Sequence, residues 1–193
     1  PIAIMVRDVF GNPTPRVPLQ LTLQTGGSVV PATLSTDAVG TARVRWTLGP
    51  VAGVQVLLVR AESVTTTVDA VARPGPMTQV VDVDPRTRRT HAGDTIAVRL
   101  RALDAFGNGV PGTVFAFSVA EGRGDVLPAR VESDSNGIAV TRWRTDTLVG
   151  TNALRARAFQ TRDTTFELRV RTLGGAAAAL RLLSGDGQRV RAG

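Results

Sequence analysis

Apolar and polar residues alternate along most of this chain. Ile96, Val98, Leu100 and Ala102 are separated by Ala97, Arg99 and Arg101. Phe115, Phe117 and Val119 share one phase of the next run, and Ala139, Thr141 and Trp143 share that of another, with Arg142 and Arg144 on the opposite phase. Leu154, Ala156 and Ala158, then Phe166, Leu168 and Val170, continue the pattern. A period of two marks a strand with one face on a core. Earlier in the chain the same phase recurs in Leu19, Leu21, Leu23; Ala42, Val44, Trp46; Leu57, Val59, Ala61; and Val68, Ala70, Ala72. A slip of one residue would turn each set to solvent, so two runs agreeing in phase argue for strands. Trp46 and Trp143 both fall on the inward side. Only "GGAAAALRLL" (Gly174 to Leu183) has helix propensity. Its counterpart "PMTQVVDV" (Pro76 to Val83) does not, and a strand is expected at both.

The counterparts come from a long internal repeat. "DVFGNPTPRVP" (Asp8 to Pro18) resembles "DAFGNGVPGTV" (Asp104 to Val114). "STDAVGTARVRW" (Ser35 to Trp46) resembles "ESDSNGIAVTRW" (Glu132 to Trp143), and "GGSVVPA" (Gly26 to Ala32) resembles "RGDVLPA" (Arg123 to Ala129). "RTHAG" (Arg89 to Gly93) resembles "RVRAG" (Arg189 to Gly193). The spacing is about a hundred residues, a common domain size. Residues 74–172 read as one complete unit and residues 1–73 as a unit lacking its first strand. Residues 173–193 read as the first strand of a further unit, or a strand donated to another subunit. Short strands with regularly spaced turns make the chain all-β, a pair of antiparallel sandwiches in tandem.

The copied loops have a backbone role. Gly11, Gly107, Gly40 and Gly137 take positive φ at little cost, and Asn12 and Asn108 tolerate it better than most residues. Asp8, Asp104, Asp37 and Asp134 accept backbone N–H groups across their turns. Phe10 and Phe106 are expected to fold back over the end of the sandwich. A Ca²⁺ site would need about six oxygen ligands. Each loop offers one or two carboxylates, so turn formation is the expected role, with no metal and no cofactor.

Composition changes the picture little. The 193 residues carry a net charge of +7, and all 23 basic residues are Arg. Nucleic-acid binding would need a basic block with interleaved aromatics. The arginines stand singly along strands, and a GC-rich codon bias explains them better. There is no Cys, so no disulfide or thiolate site can form. No apolar run is long enough to span a membrane, and no signal peptide is visible.

Together, Asp-x-Phe-Gly-Asn-Pro, the Ser/Thr-Asp-x-x-Gly-x-Ala turn and Trp-x-Leu-Gly (Trp46, Leu48, Gly49) resemble the group 1 bacterial immunoglobulin-like domains. Those domains build the extracellular rods of invasin- and intimin-type adhesins. The second unit departs from the pattern after Trp143, where Arg144-Thr145-Asp146 replaces Thr47-Leu48-Gly49. The resemblance implies an Ig-like fold, an extracellular or cell-surface location and a spacer role. The resemblance implies neighbouring Ig-like domains as partners; a strand donated from residues 173–193 would instead make identical subunits partners head to tail.

An alternative is a receptor- or glycan-binding module. Arg123-Gly124-Asp125 is the integrin-recognition tripeptide, although Gly124 aligns with Gly27 and reads as part of the repeated turn. His91 is the one His, and any Ser–His–Asp arrangement would have to use it. Its counterpart is Arg191, so a surface role is expected and no enzymatic activity. The linkers Arg73-Pro74-Gly75-Pro76 and Leu173-Gly174-Gly175 are short; Pro stiffens the first and Gly loosens the second.

Overall fold

A computed structural model describes residues 1–85, 89–159, 163–184, 187, 189 and 191. Two sandwiches follow one another. The first contains β1 (Ile2–Met5), β2 (Pro18–Leu23), β3 (Ser28–Val30), β4 (Thr33–Ser35), β5 (Thr41–Thr47), β6 (Gly53–Ala61) and β7 (Val64–Ala72). Its sheets have the orders β1-β5-β3 and β4-β2-β6-β7. The second contains β8 (Gln79–Asp82), β9 (Arg89–His91), β10 (Thr95–Leu103), β11 (Val114–Glu121) and β12 (Asp125–Leu127). It continues with β13 (Arg130–Glu132), β14 (Ile138–Arg144), β15 (Gly150–Phe159) and β16 (Thr164–Leu173). Its sheets have the orders β12-β14-β10-β8 and β13-β11-β15-β16-β9.

Strands β10 to β16 correspond one by one to β1 to β7. Registers agree as well: Leu100 faces Ala139 across β10–β14, as Ile4 faces Ala42 across β1–β5. The bonds Val30–Pro31 and Leu127–Pro128 are cis at equivalent positions. What the first sandwich lacks, among the described residues, is a pair of strands matching β8 and β9. Strand β8 hydrogen-bonds to the edge of β10, and β9 runs parallel to β16, so this segment closes both sheets.

Burial follows the alternation. Along β14, Ala139, Thr141 and Trp143 are buried and Val140, Arg142 and Arg144 exposed. The second core gathers Met77, Val80, Leu100, Phe115, Trp143 and Leu154, among others. Phe115 and Phe117 stack with centroids 6.1 Å apart. The first core is smaller: Leu21, Val44, Leu57 and Val59 are its buried members, with Trp46, Ile2 and Ile4 only partly covered. Trp143 is fully buried, whereas Trp46 points inward but is half-buried. Ile96 lies opposite Trp143 across β10–β14, and Val29 lies opposite Trp46 across β3–β5.

One expectation needs correction, and another finds no partner strand among the described residues. Phe10 and Phe106 do not cover the sandwich ends; they project into solvent, 86% and 72% exposed. The residues from Gly174 to Ser184 form neither strand nor helix, and Leu180, Leu182 and Leu183 are exposed. The strand they were expected to form resembles β8, whose backbone partner is β10 of the unit that follows its linker. Among the described residues no strand edge pairs with this segment. Val190 and Gly193, also assigned to that strand, lie outside the described residues.

Candidate functional site

Four Asp-Gly turns are built alike. Asp8 Oδ1 accepts the N–H groups of Phe10 (2.9 Å) and Asn12 (2.8 Å), and Oδ2 accepts Asn12 Nδ2 (3.0 Å). Asp104 Oδ1 accepts those of Phe106 (2.8 Å) and Asn108 (2.9 Å), and Oδ2 accepts Asn108 Nδ2 (2.9 Å). Asp37 binds the N–H groups of Val39 and Thr41, and Asp134 those of Asn136 and Ile138. Gly11, Gly107, Gly40 and Gly137 all have φ between 72° and 85°, a region that other residues enter at a cost. Gly137 also packs so closely that a Cβ would sit 2.6 Å from both Ala102 O and Val110 N. With three N–H donors on each, the Asp8 and Asp104 carboxylates are engaged within their own loops. Among the described residues no group of three or more acidic, His or Cys side chains is placed to hold a metal ion.

The Asp104 loop does something that the Asp8 loop does not. It meets the first sandwich. Asn108 Nδ2 donates to Pro50 O (2.8 Å), and Asn108 Oδ1 accepts the Ala52 N–H (2.9 Å). Asp104 Oδ2 accepts the Gly75 N–H of the linker (2.9 Å). One side-chain amide thus pairs with a carbonyl and an N–H two residues apart on the β5–β6 turn. The cleft between the sandwiches, about 430 Å³, is lined by Ala52, Gly53, Val71–Pro74 and the 107–109 loop, among others. Burial pushes Asp104 up, but the Asn108 side chain and the Gly75, Asn108 and Phe106 N–H groups outweigh it and hold its pKa at about 2. Asp8 is also held below its ordinary value, chiefly by Asn12.

The receiving turn is itself braced from inside. Gln55 is buried; its Oε1 accepts the Gly49 N–H (2.7 Å), and Nε2 donates to Gly49 O (3.1 Å) and Val51 O (2.7 Å). Asn152 takes that place in the second sandwich: Oδ1 accepts the Asp146 N–H (2.8 Å) and Nδ2 donates to Thr172 Oγ1 (3.2 Å). Thr36 and Ser133 are another matched pair of buried hydroxyls, bridging Val17 N to Thr14 O and Thr113 N to Val110 O. Sequence reasoning passed over Gln55, Asn152, Thr36 and Ser133. Their signal was present, since amide matches amide and hydroxyl matches hydroxyl at repeat spacing.

The structure places Arg123, Gly124 and Asp125 at the entry to β12, away from Asn108. The Arg123 N–H donates to Asp146 Oδ2 (2.9 Å). A Cβ on Gly124 would collide with the carbonyl oxygen of Arg144, and one on Gly27 with that of Thr47. Asp125 Oδ1 accepts Arg144 Nε at 3.0 Å, with both side chains more than half exposed. Arg155, Arg157 and Arg169 on the outer face of β15 and β16 pair with Glu167, Asp163 and Glu121. His91 faces the Asp94 carboxylate at 3.6 Å, and both side chains are about half exposed or more.

Comparison with protein-family models and with curated proteins finds no match. Among solved structures, InvD of Yersinia pseudotuberculosis aligns with a TM-score of 0.63 and 20% identity, over 94% of this chain and 54% of that one. The Escherichia coli adhesin FdeC aligns with a TM-score of 0.55 and 19% identity, over 88% of this chain and 56% of that one. The D0–D1 domain of intimin matches 88% of both chains at 18% identity, with a TM-score of 0.37. This chain spans about half the length of InvD and FdeC as solved. At these identities the likeness is one of fold: the chain has the Ig-like β-sandwich fold of adhesins of this group.

Proposed function

We propose that this chain is a structural spacer segment of a bacterial cell-surface adhesin-like protein, built from tandem Ig-like units held in a semi-rigid line. The observation that carries the reading is the Asn108 amide on Pro50 and Ala52. A joint closed by directed hydrogen bonds and a Pro-containing linker resists bending more than a flexible tether does. The fold similarity to InvD and FdeC supports an extracellular location. The reading assigns no catalysis: the spacer works by length and stiffness.

It also accounts for the open first sandwich. A groove of about 450 Å³ runs along Ile4–Asp8, Val17, Val59 and Val64, on the side that β8 covers in the second sandwich. An edge of this kind invites an added strand. In this reading a neighbouring unit's first strand fills it, from the same array or from another subunit.

Small-angle scattering on dilute protein tests the rod. One extended shape with a fixed angle between the sandwiches is expected. Profiles requiring two freely tumbling bodies would overturn it.

A further inference from the structure

The chain contains one closed joint and both halves of a second, unjoined one. Asn12 stands in the first sandwich where Asn108 stands in the second, on an identically built loop. Among the described residues the Asn12 side chain makes no hydrogen bond outside that loop, and Val9 and Phe10 beside it are 93% and 86% exposed. At the far end of the second sandwich, the turn from Asp146 to Gly150 matches the one from Gly49 to Gly53. Thr147 occupies the place of Pro50, and Val149 that of Ala52. Asn152 braces this turn through the Asp146 N–H, as Gln55 braces the other through Gly49. Among the described residues the Thr147 carbonyl and the Val149 N–H have no hydrogen-bond partner, and Leu148 and Val149 are 60% and 65% exposed.

We infer that the Asp8–Asn12 loop is an interaction surface for a second copy of this chain, which seats its Thr147–Val149 turn on Asn12, head to tail. Asn12 Nδ2 donates to the Thr147 carbonyl, and Asn12 Oδ1 accepts the Val149 N–H. Asp8 Oδ2 accepts the Gly175 N–H, as Asp104 accepts that of Gly75. This deepens the spacer reading and rests on it.

Continuity with the open groove picks the occupant. The exposed segment from Gly174 to Ser184 leaves β16 beside the turn, since a Cβ on Gly174 would meet Val149 at 4.0 Å. Arg73-Pro74-Gly75 leaves the first sandwich in the same way and leads into β8. Laid on the second copy in that register, Leu180 takes the place of Val80, a buried core residue, and Leu182 that of Asp82. The groove beneath the Asp8 loop offers Ile4, Val6, Val17 and Val59 to the two leucines, with Arg7, Asp8 and Glu62 also in its lining. The two surfaces differ and lie at opposite ends, so the contact is heterologous and propagates as a filament.

The test is sedimentation velocity of the full chain across a concentration series, with amide NMR shifts followed in parallel. Concentration-dependent association is expected, with shifts at residues 8–12 and 147–149. Asn12→Ala should weaken it by about fivefold or more, as expected for two lost hydrogen bonds, while dilute monomer stays folded and loses only the stability of the Asn12–Asp8 bond. Leu180→Asp should also weaken it. A chain that stays monomeric throughout, with no such shifts, overturns the inference. Association that survives Asn12→Ala but not Leu180→Asp overturns the Asn12 contact and leaves strand donation standing. Failure of the spacer reading would appear separately, in the scattering of dilute monomer.

Discussion

Asn108→Ala is expected to loosen the joint between the sandwiches without unfolding either. The substitution removes three side-chain hydrogen bonds, to Pro50 O, from Ala52 N and to Asp104 Oδ2. Asn12→Ala is its internal control, because the Asn12 side chain makes only the equivalent bond to Asp8. The difference between the two variants isolates the two bonds that cross the joint. At about 0.5–1.5 kcal/mol net for each bond, it amounts to about 1–3 kcal/mol. That is roughly a 5- to 150-fold change in the ratio of open to closed joint. The assay is residual dipolar coupling on dilute protein, fitted separately for each sandwich. Wild type and Asn12→Ala should align as one body, and Asn108→Ala should show a reduced alignment for one sandwich relative to the other. If Asn108→Ala aligns as Asn12→Ala does, the amide does not hold the joint and the stiffness must come from the linker alone.

Other outcomes follow from the same contacts. Asp104 is held at a pKa of about 2, below its ordinary value, so the unfolded chain binds its proton more readily. The contribution is therefore present above about pH 4 and lost as pH falls towards 2. The shift corresponds to about 2 kcal/mol at most, reduced by solvent at the mouth of the cleft. Denaturant titrations from pH 2 to 5 should show a steeper decline for wild type than for Asp104→Asn, and parallel curves would refute the assignment. Gly124→Ala should destabilise the second sandwich by about 1–3 kcal/mol, because its Cβ would be forced against the Arg144 and Thr145 backbone. A loss below about 0.5 kcal/mol in chemical denaturation would mean that the Gly is not a steric requirement of the turn.

Much of this was legible in sequence. The alternation located the strands, and Trp143 and Leu100 are buried where their phase put them. The Asp and Gly of each turn could be read because Asx turns involve residues two to four apart. Phe10 and Phe106 were misread because an apolar ring has no local rule that turns it inward at a loop tip. The strand expected at Ala176–Gly193 is absent over its described part from Ala176 to Ser184 for a related reason. Its side chains have the right pattern, but a strand exists only where an edge accepts its backbone.

What the sequence determined by itself is the pair of sandwiches: which residues face inward, where the chain turns, and that two halves share one plan. These depend on short-range geometry and on periodicity, which every residue reports locally. Only the tertiary structure decided that Asn108, placed by its loop as an ordinary turn residue, reaches back to Pro50 and Ala52. It also decided that the amide of its twin Asn12 is bonded only to Asp8 of its own loop among the described residues. Two side chains with identical local surroundings differ because hydrogen bonds form between groups that meet in space, and that meeting depends on what the rest of the chain brings to each end.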